Sequence, residues 1–157
     1  MMKDKSSKNS SGSSPKNVCR LCCLLLLWLM SSLVAHTAEV GGPISTDTTW
    51  AVADSPFNMT ASVLVNSGST LTIEAGSVIN IGSDLGIQIS GTLVARGTSS
   101  QPIVFQPTSG TTPGSWGSIG FSNSSVDAVL ASGSYSSGSG LQHCQIKYGG
   151  GGGAVGM

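Results

Sequence analysis

Short alternations of apolar and polar residues fill residues 66–106, cut apart by Gly, Ser, Asp and Pro. They are Leu71-Thr72-Ile73, Val78-Ile79-Asn80-Ile81, Ile87-Gln88-Ile89, Leu93-Val94-Ala95 and Ile103-Val104-Phe105. Period-two runs of strand length between turn residues mark β structure, because successive side chains on a strand point to opposite faces. The runs also recur. Leu71 and Leu93 are 22 positions apart, Val63 and Ile87 are 24 apart, and so are Ile81 and Phe105. A period in the low twenties built from short strands is what a coiled β-solenoid requires. Helical periodicity is absent after residue 38, so the expected class is all-β.

In a solenoid of three-strand coils each strand pairs with its equivalent one turn away, about 4.8 Å off. Inward side chains then stack in ladders: Leu71 under Leu93, Val63 and Val65 under Ile87 and Ile89, Ile79 and Ile81 under Ile103 and Phe105. Gly68, Gly76, Gly91 and Gly97 fall between runs, at corners that need positive φ or close backbone approach. Pro102 opens a strand and Pro107 closes one, where a missing amide donor is tolerated. Trp50 and Phe57 flank a Ser-Pro turn at the start of the pattern. They read equally as a lid over the first coil or as ordinary core aromatics.

The even overall charge hides a strong asymmetry. Lys3, Lys5, Lys8, Lys16 and Arg20 crowd the first twenty residues, whereas from Glu39 onward two cations, Arg96 and Lys147, face six acids, a net charge of −4. A domain so poor in cations cannot neutralise a run of phosphates or seek an anionic membrane, so nucleic-acid and membrane-surface partners are not expected. Residues 1–38 have the tripartite plan of an export signal: a basic polar start, a 15-residue apolar core over 21–35, and Ala35-His36-Thr37-Ala38. The core is short for a membrane span, and cleavage is expected after Ala38; an uncleaved anchor is the alternative. Residues 39–49, with Gly, Pro and no periodicity, read as a linker or a capping approach, and 50–157 as the folded domain.

Cysteine usage follows the same division. Cys19, Cys22 and Cys23 lie in the leader and only Cys144 beyond it, so no internal disulfide is expected in the domain. The Cys19-x-x-Cys22 pair has no second pair and opens an apolar run, which argues against a metal or redox role.

After Phe105 the rhythm loosens. Residues 107–115 form a turn-rich loop, 116–121 read as a strand, and the Ser- and Gly-rich 123–140 as an excursion from the coil, where such scaffolds place ligand-facing loops. Residues 141–148 read as one strand, with Leu141, His143, Gln145 and Lys147 on one face and Cys144, Ile146 and Tyr148 inward. With no capping helix or charged final strand after the glycines at 149–153, the chain reads as cut short at its C-terminus. An open last coil there invites edge-to-edge self-association.

The strings Thr70-Leu71-Thr72-Ile73-Glu74-Ala75-Gly76, Gly91-Thr92-Leu93-Val94-Ala95-Arg96-Gly97-Thr98, Pro102-Ile103-Val104-Phe105 and Trp116-Gly117-Ser118-Ile119-Gly120-Phe121 together resemble the secreted right-handed parallel β-helix proteins. This is the pectin-lyase-like and adhesin-like repeat family of bacterial surface proteins, and the resemblance spans residues 50–148. Ala75 stands where that pattern usually has Pro. The resemblance implies a right-handed parallel β-helix with coils of about 22–24 residues. It does not choose among lyases, hydrolases and adhesins, which share the scaffold.

No catalytic, cofactor or metal residue emerges from the motifs. The glycine run lacks the Lys-Ser/Thr of a phosphate loop, and no G-x-S-x-G nucleophile turn occurs. Adjacent strand residues face opposite ways, so His143 and Cys144 cannot act jointly, and Cys144 reads as a small buried hydrophobe. A polysaccharide lyase needs a cationic base beside carboxylates that hold calcium. Here Arg96 and Asp84 fall in different corners and the acids are scattered. Asn58-Met59-Thr60 and Asn123-Ser124-Ser125 match the N-glycosylation sequon, which matters only in a glycosylating host. The expected function is therefore an exported, non-enzymatic scaffold or adhesion module with weak polysaccharide or cell-surface glycan contact and no cofactor. The alternative is the N-terminal part of a polysaccharide lyase or hydrolase whose catalytic coils lie beyond residue 157.

Overall fold

A computed structural model of the chain describes residues 37–151. The expected export signal over 1–38 lies outside them except for its last two residues, as do Cys19, Cys22 and Cys23. The strands wind in parallel around one axis as a right-handed β-helix. Each turn crosses three faces. The first two faces form one sheet: β1 (Ala38–Ile44), β3 (Phe57–Val65), β5 (Val78–Ile81), β6 (Ile87–Ile89), β8 (Ile103–Pro107), β9 (Ile119–Phe121) and β13 (Cys144–Ile146). The third face carries β2 (Thr48–Trp50), β4 (Thr70–Ile73), β7 (Thr92–Arg96) and β12 (Gly140–Gln142). Strand β3 spans two faces without a break, and one coil later its halves pair separately with β5 and β6.

The core is the row of inward ladders. Leu71 lies against Leu93, and Val63 and Val65 against Ile87 and Ile89, with all six buried. A fully buried aliphatic side chain contributes about 2 kcal/mol relative to exposure. One three-strand coil cannot exclude water from its own inward face, so stacking coils supplies the stability. The corners follow the same economy of space. Gly76 takes φ of +86°, and a methyl group on Gly91 would run into the carbonyl oxygens of Asn66 and Ser69.

Several expectations give way to tertiary geometry. Residues 39–49 are not a linker: β1 and β2 lie there and form a first coil, pairing with β3 and β4. The inward alternation Ala38, Val40, Gly42, Ile44 is masked by its glycines and proline, and only pairing with β3 reveals it. Trp50 and Phe57 are ladder residues, not a separate lid. Trp50 pairs with Ile73, Phe57 sits between Ala38 and Ile79, and their rings stack across the corner with centroids 5.2 Å apart.

The third ladder is shifted by two residues from its expected register. Ile79 pairs with Phe105 and Ile81 with Pro107, a spacing of 26, while Ile103 lies above the Ser77 corner. A slip of two leaves every side chain on its proper face, so alternation cannot detect it. The longer turn between β7 and β8 decides it.

The strand expected over 116–121 shrinks to β9, with Trp116 buried in the loop before it. The strand expected over 141–148 divides into β12 and β13, which belong to different faces and meet at His143, where φ is +48°. That bend resets the alternation. Leu141 therefore turns inward over Ala95, and Gln142 outward beside Arg96. The excursion over 123–140 contains an antiparallel hairpin, β10 (Val129–Ala131) with β11 (Ser134–Ser137), standing off the coil.

Candidate functional site

Polar side chains of the β-helix bond from coil to coil, some to one another and others to backbone amides. Asn80 donates through Nδ2 to Asn58 Oδ1 at 2.8 Å and accepts from Gln106 Nε2 at 3.1 Å, forming an amide ladder up one face. Asp47 Oδ1 accepts from the Thr70 amide at 2.8 Å and Glu74 Oε2 from the Val52 amide at 2.9 Å. Ser55 and Ser62 hydroxyls accept the amides of Val78 and Gly86. All of these bonds cross from one coil to the next, and those of Asp47, Glu74, Ser55 and Ser62 satisfy backbone amides at or beside the corners.

Residues weighed for chemistry fall apart in space. Asp84 sits in the turn between β5 and β6 with φ of +62°, at another corner from Arg96. Lys147 is exposed, and its carbonyl accepts the Trp116 indole at 2.7 Å. The described glycines of the run, Gly149, Gly150 and Gly151, pack against the loop that holds Trp116. A methyl group on Gly149 would lie 2.9 Å from the Trp116 ring, and Gly151 donates its amide to the Trp116 carbonyl. His143 is exposed at its bend, while Cys144 is half-buried over Ile103 with Sγ 3.3 Å from the Ala95 carbonyl. Burial pushes the Cys144 thiol above its ordinary 9.0, although backbone groups of Gln142 and Gly97 pull it partly back. A thiol held un-ionised is a poor nucleophile. Among the described residues no group of three or more His, Cys, Asp or Glu stands close enough to hold a metal ion.

One constellation does form, where the hairpin folds against the third face. Arg96 ends β7, and Gln142 lies directly opposite it on β12. The Arg96 Nε donates to Gln142 Oε1 at 3.0 Å, and its guanidinium carbon lies 4.4 Å from the centre of the Tyr135 ring. Tyr135 reaches back from β11 and donates its hydroxyl to the Gly138 carbonyl at 2.6 Å. These three residues line a cleft of about 520 Å³ whose other walls include Leu130, Ser134 and Leu141. Of the three, the sequence drew attention only to Arg96. Tyr135 is the sole aromatic in a Ser- and Gly-rich stretch, a signal that could have marked it; nothing marked Gln142.

Comparison with known proteins places this architecture. A family model described as a pectate-lyase-like β-helix domain matches residues 42–152, more than two thirds of the chain. No curated protein and no solved structure gives a match.

Proposed function

The chain belongs to the pectate-lyase-like β-helix domain family, and on that premise we propose that it is an exported, non-enzymatic module. It serves as a secreted or cell-surface scaffold or adhesion domain whose polar faces touch polysaccharide weakly. The observation that carries this reading is how its polar groups are used. Asp47, Glu74, Asn58 and Asn80 tie one coil to the next instead of converging on a ligand. The net charge of −4 from Glu39 onward also repels acidic polymers, which favours neutral glycans over the polyanions a lyase would cleave. The basic and apolar character of residues 1–38 supports export.

The reading extends to self-association. Phe121 and Ile146 lie above inward ladder positions yet remain exposed, so a second copy can cover them edge to edge.

A second reading, the N-terminal part of a polysaccharide lyase or hydrolase, draws on the pectate-lyase-like description of the family model. One experiment separates the two. The purified chain is incubated with neutral and acidic plant polymers, and both retention on the polymer and appearance of new chain ends are measured. Weak retention of neutral polymer without new ends is expected. New chain ends from any polymer would sink the scaffold reading.

A further inference from the structure

We propose that the cleft between the hairpin and β12 is a binding site for a small organic anion, a carboxylate carried on a compact apolar body. The site stands apart from the polar faces invoked above, and it does not depend on the scaffold reading.

The cation is held in place before any ligand arrives. Gln142 Oε1 takes the Nε hydrogen of Arg96 at 3.0 Å, and the Tyr135 ring lies 4.4 Å from the guanidinium carbon. Tyr135 is itself anchored at its hydroxyl, and its ring packs so closely on Gly140 that an added methyl group would come within 3.2 Å. With Nε engaged, the terminal Nη groups of Arg96 form no hydrogen bond to the described residues. A planar fork so oriented matches the two oxygens of a carboxylate, and fixing it beforehand lowers the entropy lost on binding.

The remaining walls decide what the carboxylate is attached to. Leu130 is 66% exposed and Leu141 37%, both on the cleft, so apolar surface stands in water beside the guanidinium. Beside Arg96 and the engaged Tyr135, the polar side chains on the cleft are the Ser134 hydroxyl and the Gln142 amide. A sugar ring would leave most of its hydroxyls unpaired there, and unmade hydrogen bonds of that kind are costly. An apolar body covers Leu130 and Leu141 instead.

The test uses the intact chain and three probes: benzoate, its neutral isostere benzamide, and galacturonate, each titrated while amide and side-chain NMR shifts are followed. Benzoate is expected to bind with a dissociation constant on the order of millimolar. Its shifts should centre on Arg96, Leu130, Tyr135 and Leu141, and benzamide should bind about tenfold more weakly. Arg96→Gln should erase the difference between benzoate and benzamide, and Leu130→Asn should weaken both alike. Equal binding of benzamide, tighter binding of galacturonate than of benzoate, shifts centred elsewhere, or no binding of benzoate would each overturn the proposal. The comparison of probes on the unaltered chain stands even if a variant fails to fold.

Discussion

Single residues carry much of the constraint at the corners. Gly91 turns the chain where the carbonyls of Asn66 and Ser69 leave no room for a side chain. Gly91→Ala should therefore lower stability by about 2–3 kcal/mol in urea denaturation, a cost of overpacking that a surface glycine would not show. Ser77 presents the opposite case. It is fully buried, and its hydroxyl has no hydrogen-bond partner among the described residues. Removing that hydroxyl in Ser77→Ala should raise stability by about 1 kcal/mol, read as a higher urea midpoint. Cys144 adds a pH dependence. Its folded pKa lies above the ordinary 9.0 through burial, so its contribution is complete below that value and is lost as pH rises through the raised pKa. Urea midpoints measured between about pH 8 and 10 should fall more steeply for the native chain than for Cys144→Ala.

Strands in this molecule stand or fall by what lies on each side of them. On β8, Phe105 packs over Ile79 inside, while on β5 Asn80 bonds to Asn58 and Gln106 outside. Interior and exterior ladders differ in kind: the first removes apolar surface from water, and the second exchanges hydrogen bonds to water for hydrogen bonds within the protein. Phe105→Ala should thus cost about 3–5 kcal/mol, against about 1 kcal/mol for Asn80→Ala. Equal losses by calorimetry would show that the outer ladder holds the coils together as strongly as the core does. The hairpin of β10 and β11 lies outside this logic. It pairs only with itself, and Leu130 stays exposed. Its place in the molecule comes from Tyr135 on Arg96, from the Val126 amide donating to the Gly91 carbonyl, and from the Ser139 hydroxyl accepting the Leu93 amide at its base.

The described residues form a stack whose last coil shows its interior. Ile146 is 55% exposed and Phe121 43%, although Phe105 and Ile89, their partners one coil down, are fully buried. At the opposite end β1 carries Pro43, which lacks an amide donor and is a device that blunts strand edges. Association should therefore proceed through the Phe121 and Ile146 end. Sedimentation of the chain should show a mass rising with concentration, and Ile146→Lys together with Phe121→Lys should return it to monomer. Both positions are exposed, so the changes leave the core intact. A monomer at every concentration, or a variant that associates as readily as the native chain, would refute the role of this surface.

The fold was legible in the chain because burial on a strand writes itself as alternation, and stacking writes that alternation again each coil. Leu71, Val63, Ile87 and Leu93 announced both strands and period, and their ladders formed as expected. What alternation cannot encode was decided in three dimensions. A two-residue slip preserves every inward position, so the pairing of Ile79 with Phe105 had to be chosen by turn geometry. Glycine and proline hid the strand at Ala38–Ile44, and the bend at His143 split what looked like a single strand and turned Leu141 inward. The cleft was hidden most completely. Arg96 and Gln142 are separated by 46 positions and share no pattern, and only the winding of β12 onto β7 brings them within a hydrogen bond. Periodicity reports on the repeated, apolar interior of this protein; the Arg96, Tyr135 and Gln142 constellation arises where the repeat is interrupted.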